Sequence, residues 1–109
     1  MDVELLELTK ENYEEEVINS ERPVVVDFWG PRCAPCLALM PEVEKLAREY
    51  GDRIKFCKVN SAKNRRLCVD LKVMALPTFL FYKSGEVVDK LVGGEATKEN
   101  IVAKLEALV

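Results

Sequence analysis

The chain alternates between unbroken apolar runs and stretches where apolar residues recur at helical spacing. PVVVDFW, residues 23–29, holds six apolar residues in seven, interrupted only by Asp27. Such a run suits a central strand covered on both faces. From about residue 34 to 50, Met40, Val43, Leu46, Ala47 and Tyr50 mark the buried side of a long helix. Pro41 lies inside it and should kink it, because proline removes a hydrogen bond and clashes with the preceding turn. Gly51 and Asp52 end the helix, and IKFCKVN, residues 54–60, reads as a second strand. A right-handed crossover makes the two strands parallel neighbours.

The flanking segments extend this unit. VELLEL, residues 3–8, predicts a first strand, and Thr9 caps a helix starting in TKENYEEEVI. Glu11, Glu14, Glu15 and Glu16 lie towards the N-terminal half of that helix, where its dipole favours negative charge. TKEN returns at 97–100 before IVAKLEAL, whose Ile101, Val102, Leu105 and Leu108 share one helical face. The two segments read as one capping solution used twice, not as an internal repeat. Residues 61–72, with Leu67, Cys68 and Leu71, form a short helix-like connection. TFLFYK is an apolar strand, Ser84-Gly85 a tight turn and EVVDKLV its hairpin partner, with Gly93-Gly94 breaking the chain before the last helix. The order β-α-β-α-β-α-β-β-α predicts an α/β protein, one mixed sheet with helices on both faces. No linker or low-complexity tract divides it, so residues 1–109 read as a single domain.

Composition narrows the function. An apolar fraction of 49% and a charged fraction of 32% are those of an ordinary globular chain. The formal net charge of −3 leaves no domain-wide basic surface, which argues against nucleic acid as the main partner. The short basic stretch Lys63, Arg65 and Arg66 reads as a solvated helix face. MDVELLELTK lacks the pattern of a secretory signal, and no apolar run approaches the roughly 20 residues of a membrane helix. The expectation is a cytoplasmic protein with no membrane attachment. In that compartment paired cysteines are more often catalytic or metal-binding than structural. There is no histidine, which removes Cys-His and Ser-His-Asp catalysis and imidazole zinc sites. Proton transfer near neutral pH must then use a perturbed thiol, carboxylate or lysine.

The densest chemistry lies in WGPRCAPC, residues 29–36. Cys33 and Cys36 follow a central strand and open a helix. Open α/β sheets place their sites beyond the carboxyl ends of strands, and a helix N-terminus stabilises a thiolate. Pro35 fixes the backbone in the first helical turn, where its missing N–H costs little. Two thiols at this spacing can hold a metal, form a reversible disulfide or serve as small buried residues. A four-cysteine metal module is disfavoured, because Cys57 and Cys68 are eleven apart rather than a close pair. Those two cysteines read as buried hydrophobes, or as a second, regulatory disulfide if their Cα atoms lie within about 7 Å.

VDFWGPRCAPCLALMPEVEKLA resembles the active-site strand and helix of the thioredoxin family, and the likeness extends over nearly the whole chain. Cys33-Ala34-Pro35-Cys36 matches the family's Cys-Gly-Pro-Cys motif and Pro41 its helix-kinking proline. Asp27 matches a buried acid beneath the disulfide, Lys58 a lysine near that acid, and Leu76-Pro77-Thr78 the segment with a cis proline. Gly85 and Gly93 fall at family glycines. A non-catalytic module that kept the fold would lack one of these parts, and none is missing. The resemblance implies a thioredoxin-like fold, a central mixed five-stranded sheet flanked by four helices on both faces. It also implies a protein-disulfide reductase. Cys33 attacks a substrate disulfide, and Cys36 resolves the mixed disulfide. No cofactor is bound, and reducing equivalents come from a partner of the thioredoxin reductase kind. Substrates are disulfide-containing proteins, and a monomer is the default state.

Asp27 becomes the general base for Cys36, directly or through one water, with its pKa raised by burial and moderated by Lys58. The plainer alternatives are an Asp27 that reaches water, a Lys58 that merely snorkels and a trans Pro77 opening an edge strand. A cis Pro77 leaves the backbone of Ala75 and Leu76 free to pair with an extended substrate. Trp29, Pro31, Ala34, Pro35, Met74, Ala75, Leu76, Pro77 and Gly93 then form a flat, mostly apolar substrate patch around Cys33, with Arg32 beside it.

The chain departs from the family at Arg32, where a second tryptophan is usual, at Pro31 before it, and at Ala34 in place of glycine. A fixed positive charge beside Cys33 favours its thiolate and a more oxidising couple, unless salt screens an arginine lying in water. Replacing Arg32 with Trp should therefore raise the Cys33 pKa, read from thiolate absorbance. An unchanged or lower value would assign Arg32 no electrostatic role.

Overall fold

The computed structural model describes residues 5–109, and residues 3 and 4 of the predicted first strand lie outside it. Five strands form one sheet: β1 (Leu6–Glu7), β2 (Val24–Trp29), β3 (Lys55–Asn60), β4 (Thr78–Lys83) and β5 (Glu86–Val92). Their spatial order is β1-β3-β2-β4-β5. β3 runs parallel to both β1 and β2, while β4 is antiparallel to β2 and to β5. The α-helices are α1 (Ala34–Tyr50), α2 (Arg65–Asp70) and α3 (Lys98–Leu108). A fourth helical segment, Glu14–Ile18, is a π-helix, and Gly93–Glu95 forms a 3-10 turn.

The side-chain alternation of the central strands sorts the core into two layers. Val25 of β2, Phe56 of β3 and Phe79 and Phe81 of β4 pack with Val43, Leu46 and Ala47 of α1 and Ile101, Leu105 and Leu108 of α3. On the other face, Val24, Val26 and Phe28 of β2, Cys57 and Val59 of β3, and Leu80 and Tyr82 of β4 pack with Tyr13, Val17 and Cys68. Each fully buried aromatic or branched side chain contributes about 1.5–3 kcal/mol, so the apolar runs legible in the sequence hold the sheet together. Helices thus cover both faces, and β2 is buried along nearly its whole length.

Several local expectations are corrected. The predicted helix after Thr9 closes as a π-helix, in which Asn19 N–H donates to Glu14 O at 2.9 Å. Of the two TKEN segments only the second caps a helix, so the shared capping solution is not found. Thr97 Oγ1 accepts from Asn100 N–H at 3.1 Å, whereas Thr9 Oγ1 accepts from Glu11 N–H at 3.3 Å and Thr9 N–H donates to Asn12 Oδ1 at 2.8 Å. Thr9 therefore bonds within a turn and does not cap the helix that follows, whose N-cap is Tyr13 with no side-chain cap hydrogen bond. Met40 is only half-buried, packed at the margin of the α1 layer. Pro41 sits inside α1, which runs from Ala34 to Tyr50 although Pro41 cannot donate to Leu37 O. The 61–72 connection is helical only over Arg65–Asp70.

The hairpin turn behaves as its residues dictate. Ser84 and Gly85 have φ of 54° and 80°, the pair of positive values that lets a two-residue turn follow the twist of its strands. A Cβ on Gly85 would lie 2.7 Å from Ile18 O, so glycine is needed there on two counts.

Candidate active site

The C-terminal ends of β2 and β3 lie side by side, because Trp29 and Asn60 are register partners in a parallel pair. Both strand-to-helix loops therefore emerge at the same edge. Ser61 N–H donates to Trp29 O at 2.8 Å, tying the two loops together.

Cys33 and Cys36 are joined in a disulfide with Cα atoms 5.2 Å apart. Cys33 is the N-cap of α1, in extended backbone, and its sulfur accepts from Cys36 N–H at 3.3 Å. That hydrogen bond is the cap interaction an anionic sulfur would strengthen, since the first N–H groups of a helix have no partner within it. Pro35 occupies the first turn. Cys33 is partly exposed while Cys36 is buried, so one sulfur faces substrate and the other lies behind it.

Asp27 lies on the α1 side of β2, by the same alternation that places Val25 there. It is 2% exposed, and neither carboxylate oxygen has a hydrogen-bond partner among the described residues. Burial pushes its pKa up from 3.8 to about 7, and the positive charge of Lys58 pulls it partway back down. Lys58 is the register partner of Asp27 across β2 and β3. Its ammonium lies 5.9 Å from the centroid of the Trp29 ring, a cation–π placement, rather than against the carboxylate. Desolvation is the larger effect, so the acid is held near neutrality in an otherwise apolar layer.

The Leu76–Pro77 peptide bond is cis. Thr78 Oγ1 donates to Ala75 O at 2.6 Å, and Gly93 N–H donates to Pro77 O at 2.8 Å. The segment is thus pinned from both sides. A Cβ on Gly30 would lie 3.1 Å from Leu76 Cδ1, so Gly30 lets this segment approach the cysteine loop closely.

The expected apolar patch is divided between two depressions. Pro31, Arg32, Cys33 and Leu76 line one of about 740 Å³, together with Gly30, Ser61, Ala62 and Arg65. Met74 and Ala75 line another with Leu71, Val73, Val87 and Val92, and Met74 is 92% exposed. Ala34 and Pro35 are exposed, Trp29 and Gly93 half-buried, and Pro77 buried. Gly30, Ser61 and Arg65 are not identified as site residues from the sequence. A signal existed for two of them: a parallel β-α-β unit brings the residues after Asn60 beside those after Trp29.

Cys57 and Cys68 are free, buried thiols in the layer opposite α1. Burial pushes the Cys57 thiol up to about 12, so it carries almost no thiolate at neutral pH. Among the described residues no group of three or more Cys, Asp or Glu side chains has a metal-binding arrangement, and no helix is long and apolar enough to cross a membrane.

A cysteine pair that caps a helix and closes a disulfide, with a buried acid on the sheet face which that helix covers and a cis proline next to Leu76 in the wall beside Cys33, defines a protein thiol–disulfide oxidoreductase. Comparison with known proteins gives the family. The thioredoxin family model matches residues 4–107. Thioredoxin of Acetoanaerobium sticklandii is 38% identical over 105 residues, 96% of this chain and 100% of its own length. Thioredoxin of Peptoclostridium acidaminophilum is 41% identical over 101 residues, covering 93% of this chain and 92% of its own. Thioredoxin of Porphyra purpurea is 37% identical over 100 residues, 90% of this chain and 94% of its own. The chain belongs to the thioredoxin family.

The Asp27 shift has a measurable thermodynamic consequence. A carboxyl whose pKa is higher in the folded than in the unfolded chain loses its stabilising contribution as pH rises from about 3.8 to about 7. Asp27→Asn removes that loss. In urea titrations of the oxidised protein, the variant should gain stability over wild type by on the order of 2 kcal/mol more at about pH 8 than at about pH 5. Equal differences at the two pH values would mean that Asp27 titrates as an ordinary carboxyl.

Proposed function

We propose that the chain, one thioredoxin-like domain over residues 1–109, works as a cytoplasmic, monomeric reductase of protein disulfides. The observation that carries this reading is the asymmetric pair, a partly exposed Cys33 capping α1 with a buried Cys36 behind it.

In the reduced protein the Cys33 thiolate attacks one sulfur of a substrate disulfide. The substrate S–S bond breaks, a Cys33–substrate disulfide forms, and the departing substrate thiolate takes a proton. Asp27 then accepts the Cys36 proton, directly or through one water. Cys36 attacks the Cys33 sulfur, the second substrate thiolate leaves, and the Cys33–Cys36 bridge closes. Two electrons have moved from the dithiol to the substrate. An acid with a pKa of about 7 suits the proton transfer, because it is substantially ionised at neutral pH yet still basic. Lys58 acts through Asp27 as a positioning residue that keeps this value from rising further. The backbone of Ala75 and Leu76, beside the cis Pro77, receives the substrate segment. No bound cofactor enters the cycle, and a partner reductase of the thioredoxin reductase kind restores the dithiol.

Insulin reduction driven by dithiothreitol, followed as turbidity, tests the assignment. Wild type should accelerate precipitation, and Cys33→Ser and Cys36→Ser should not. Cys36→Ser should also retain one substrate as a mixed disulfide on Cys33, seen as added mass that a reductant removes. A wild type no faster than the serine variants would reject the reading.

A further inference from the structure

We propose that the depression beside Cys33 selects disulfides of protein segments that carry carboxylate side chains next to the disulfide, with Arg32 and Arg65 as the discriminating residues. This rests on the reductase reading above and adds a substrate class to it.

Every charged side chain lining the depression is positive. Arg32 and Arg65 line it with Cys33, Ser61 and the apolar Pro31, Ala62 and Leu76, and among the described residues no Asp or Glu does. Among the described residues neither guanidinium takes part in an ion pair or a side-chain hydrogen bond. By contrast, Arg66, next in sequence, is held by Asp70 at 3.1 Å, and Arg53 by Asp52 at 3.4 Å. The charges are also carried on braced backbone. Asn60 Oδ1 accepts from Ala62 N–H at 3.0 Å, and Asn64 Nδ2 donates to Asn60 O at 2.9 Å. Arg65 follows directly as the first residue of α2. Arg32 is set beside Cys33 by the turn in which Cys33 N–H donates to Gly30 O at 3.1 Å.

The positive character continues outward. A neighbouring depression is lined by Lys10, Lys63, Arg65 and Arg66, with Glu11 as its one acid among the described residues. This basic rim belongs to a chain whose formal net charge is −3. Charge is therefore segregated towards the reactive sulfur, the arrangement that steers an oppositely charged partner and fixes its orientation. The depression is open to solvent and is lined from Cys33 across to Arg65, so a peptide segment can meet both ends of it where a lone anion cannot. Cys33 lies in the lining itself, so an occupant can present its disulfide to the sulfur and its carboxylates to the arginines at once.

Two peptides of the same sequence test this, each with one intramolecular disulfide, one flanked by Glu and the other by Gln. Their reduction by the full-length protein is driven by dithiothreitol at low salt. Wild type should favour the Glu peptide by about three- to tenfold in kcat/KM, the size expected of two partly exposed charge pairs. About 0.5 M salt should bring the ratio towards one. Arg65→Gln should lower the ratio, and Arg65→Glu should bring it to about one or below. The rate on the Gln peptide reports in each variant that fold and chemistry survive. A wild-type ratio of one, or a ratio that Arg65→Gln and Arg65→Glu both leave unchanged, overturns the proposal. If wild type reduces neither peptide, the reductase reading falls, and this proposal with it.

Discussion

A carboxyl group enclosed in an apolar layer is the constraint around which the site is arranged. Asp27 is the one interruption in the apolar run of β2, and both of its oxygens lack hydrogen bonds to the described residues. An ionised carboxylate is poorly tolerated there, so the group holds its proton up to about pH 7. The sheet makes this possible. Parallel pairing with β3 puts Lys58 opposite Asp27, and side-chain alternation turns both towards the helix that carries the cysteines. A one-residue slip of β2 would turn Asp27 into the opposite layer, towards Cys57, Val59 and Leu80 of the neighbouring strands.

The reactive sulfur is exposed by the same geometry that buries the acid. β2 ends at Trp29, and four residues later Cys33 caps α1, leaving its sulfur at the helix N-terminus and Cys36 inside. The opposing wall comes from a distant part of the chain. The cis Pro77 segment is tied to Gly93 and packs against Gly30, so three separate stretches converge on one disulfide. Short backbone ties rather than a large cavity set their spacing. This suits a protein whose substrates are other proteins, since the disulfide must be reached by a surface and not only by a small molecule.

Much of this was legible in the sequence, and the limits were physical. The runs Val24–Trp29 and Thr78–Lys83 predicted buried strands because burial on both faces leaves no alternation to misread. The long helix and both cysteines followed from spacing. The cis state of Pro77 came from family resemblance alone, since the residues themselves favour a trans bond. In sequence the π-helix at Glu14–Ile18 looks like an ordinary helix, because the period difference is too small to register over five residues. In sequence Arg65 belongs to a short basic stretch on a solvated helix face. Its relation to Cys33, more than thirty positions earlier, exists only once β2 and β3 pair and their loops emerge together.

The central claim is that Asp27 acts as the base that releases the Cys36 proton. It is tested most directly by loading Cys33 with a chromophoric thiol as a mixed disulfide and timing its displacement by Cys36 across about pH 5 to about pH 9. The account predicts a rate in the wild-type protein that rises through an inflection near pH 7, where Asp27 ionises, and that this inflection is lost in Asp27→Asn together with much of the rate at neutral pH. Matching profiles for the two proteins would contradict it.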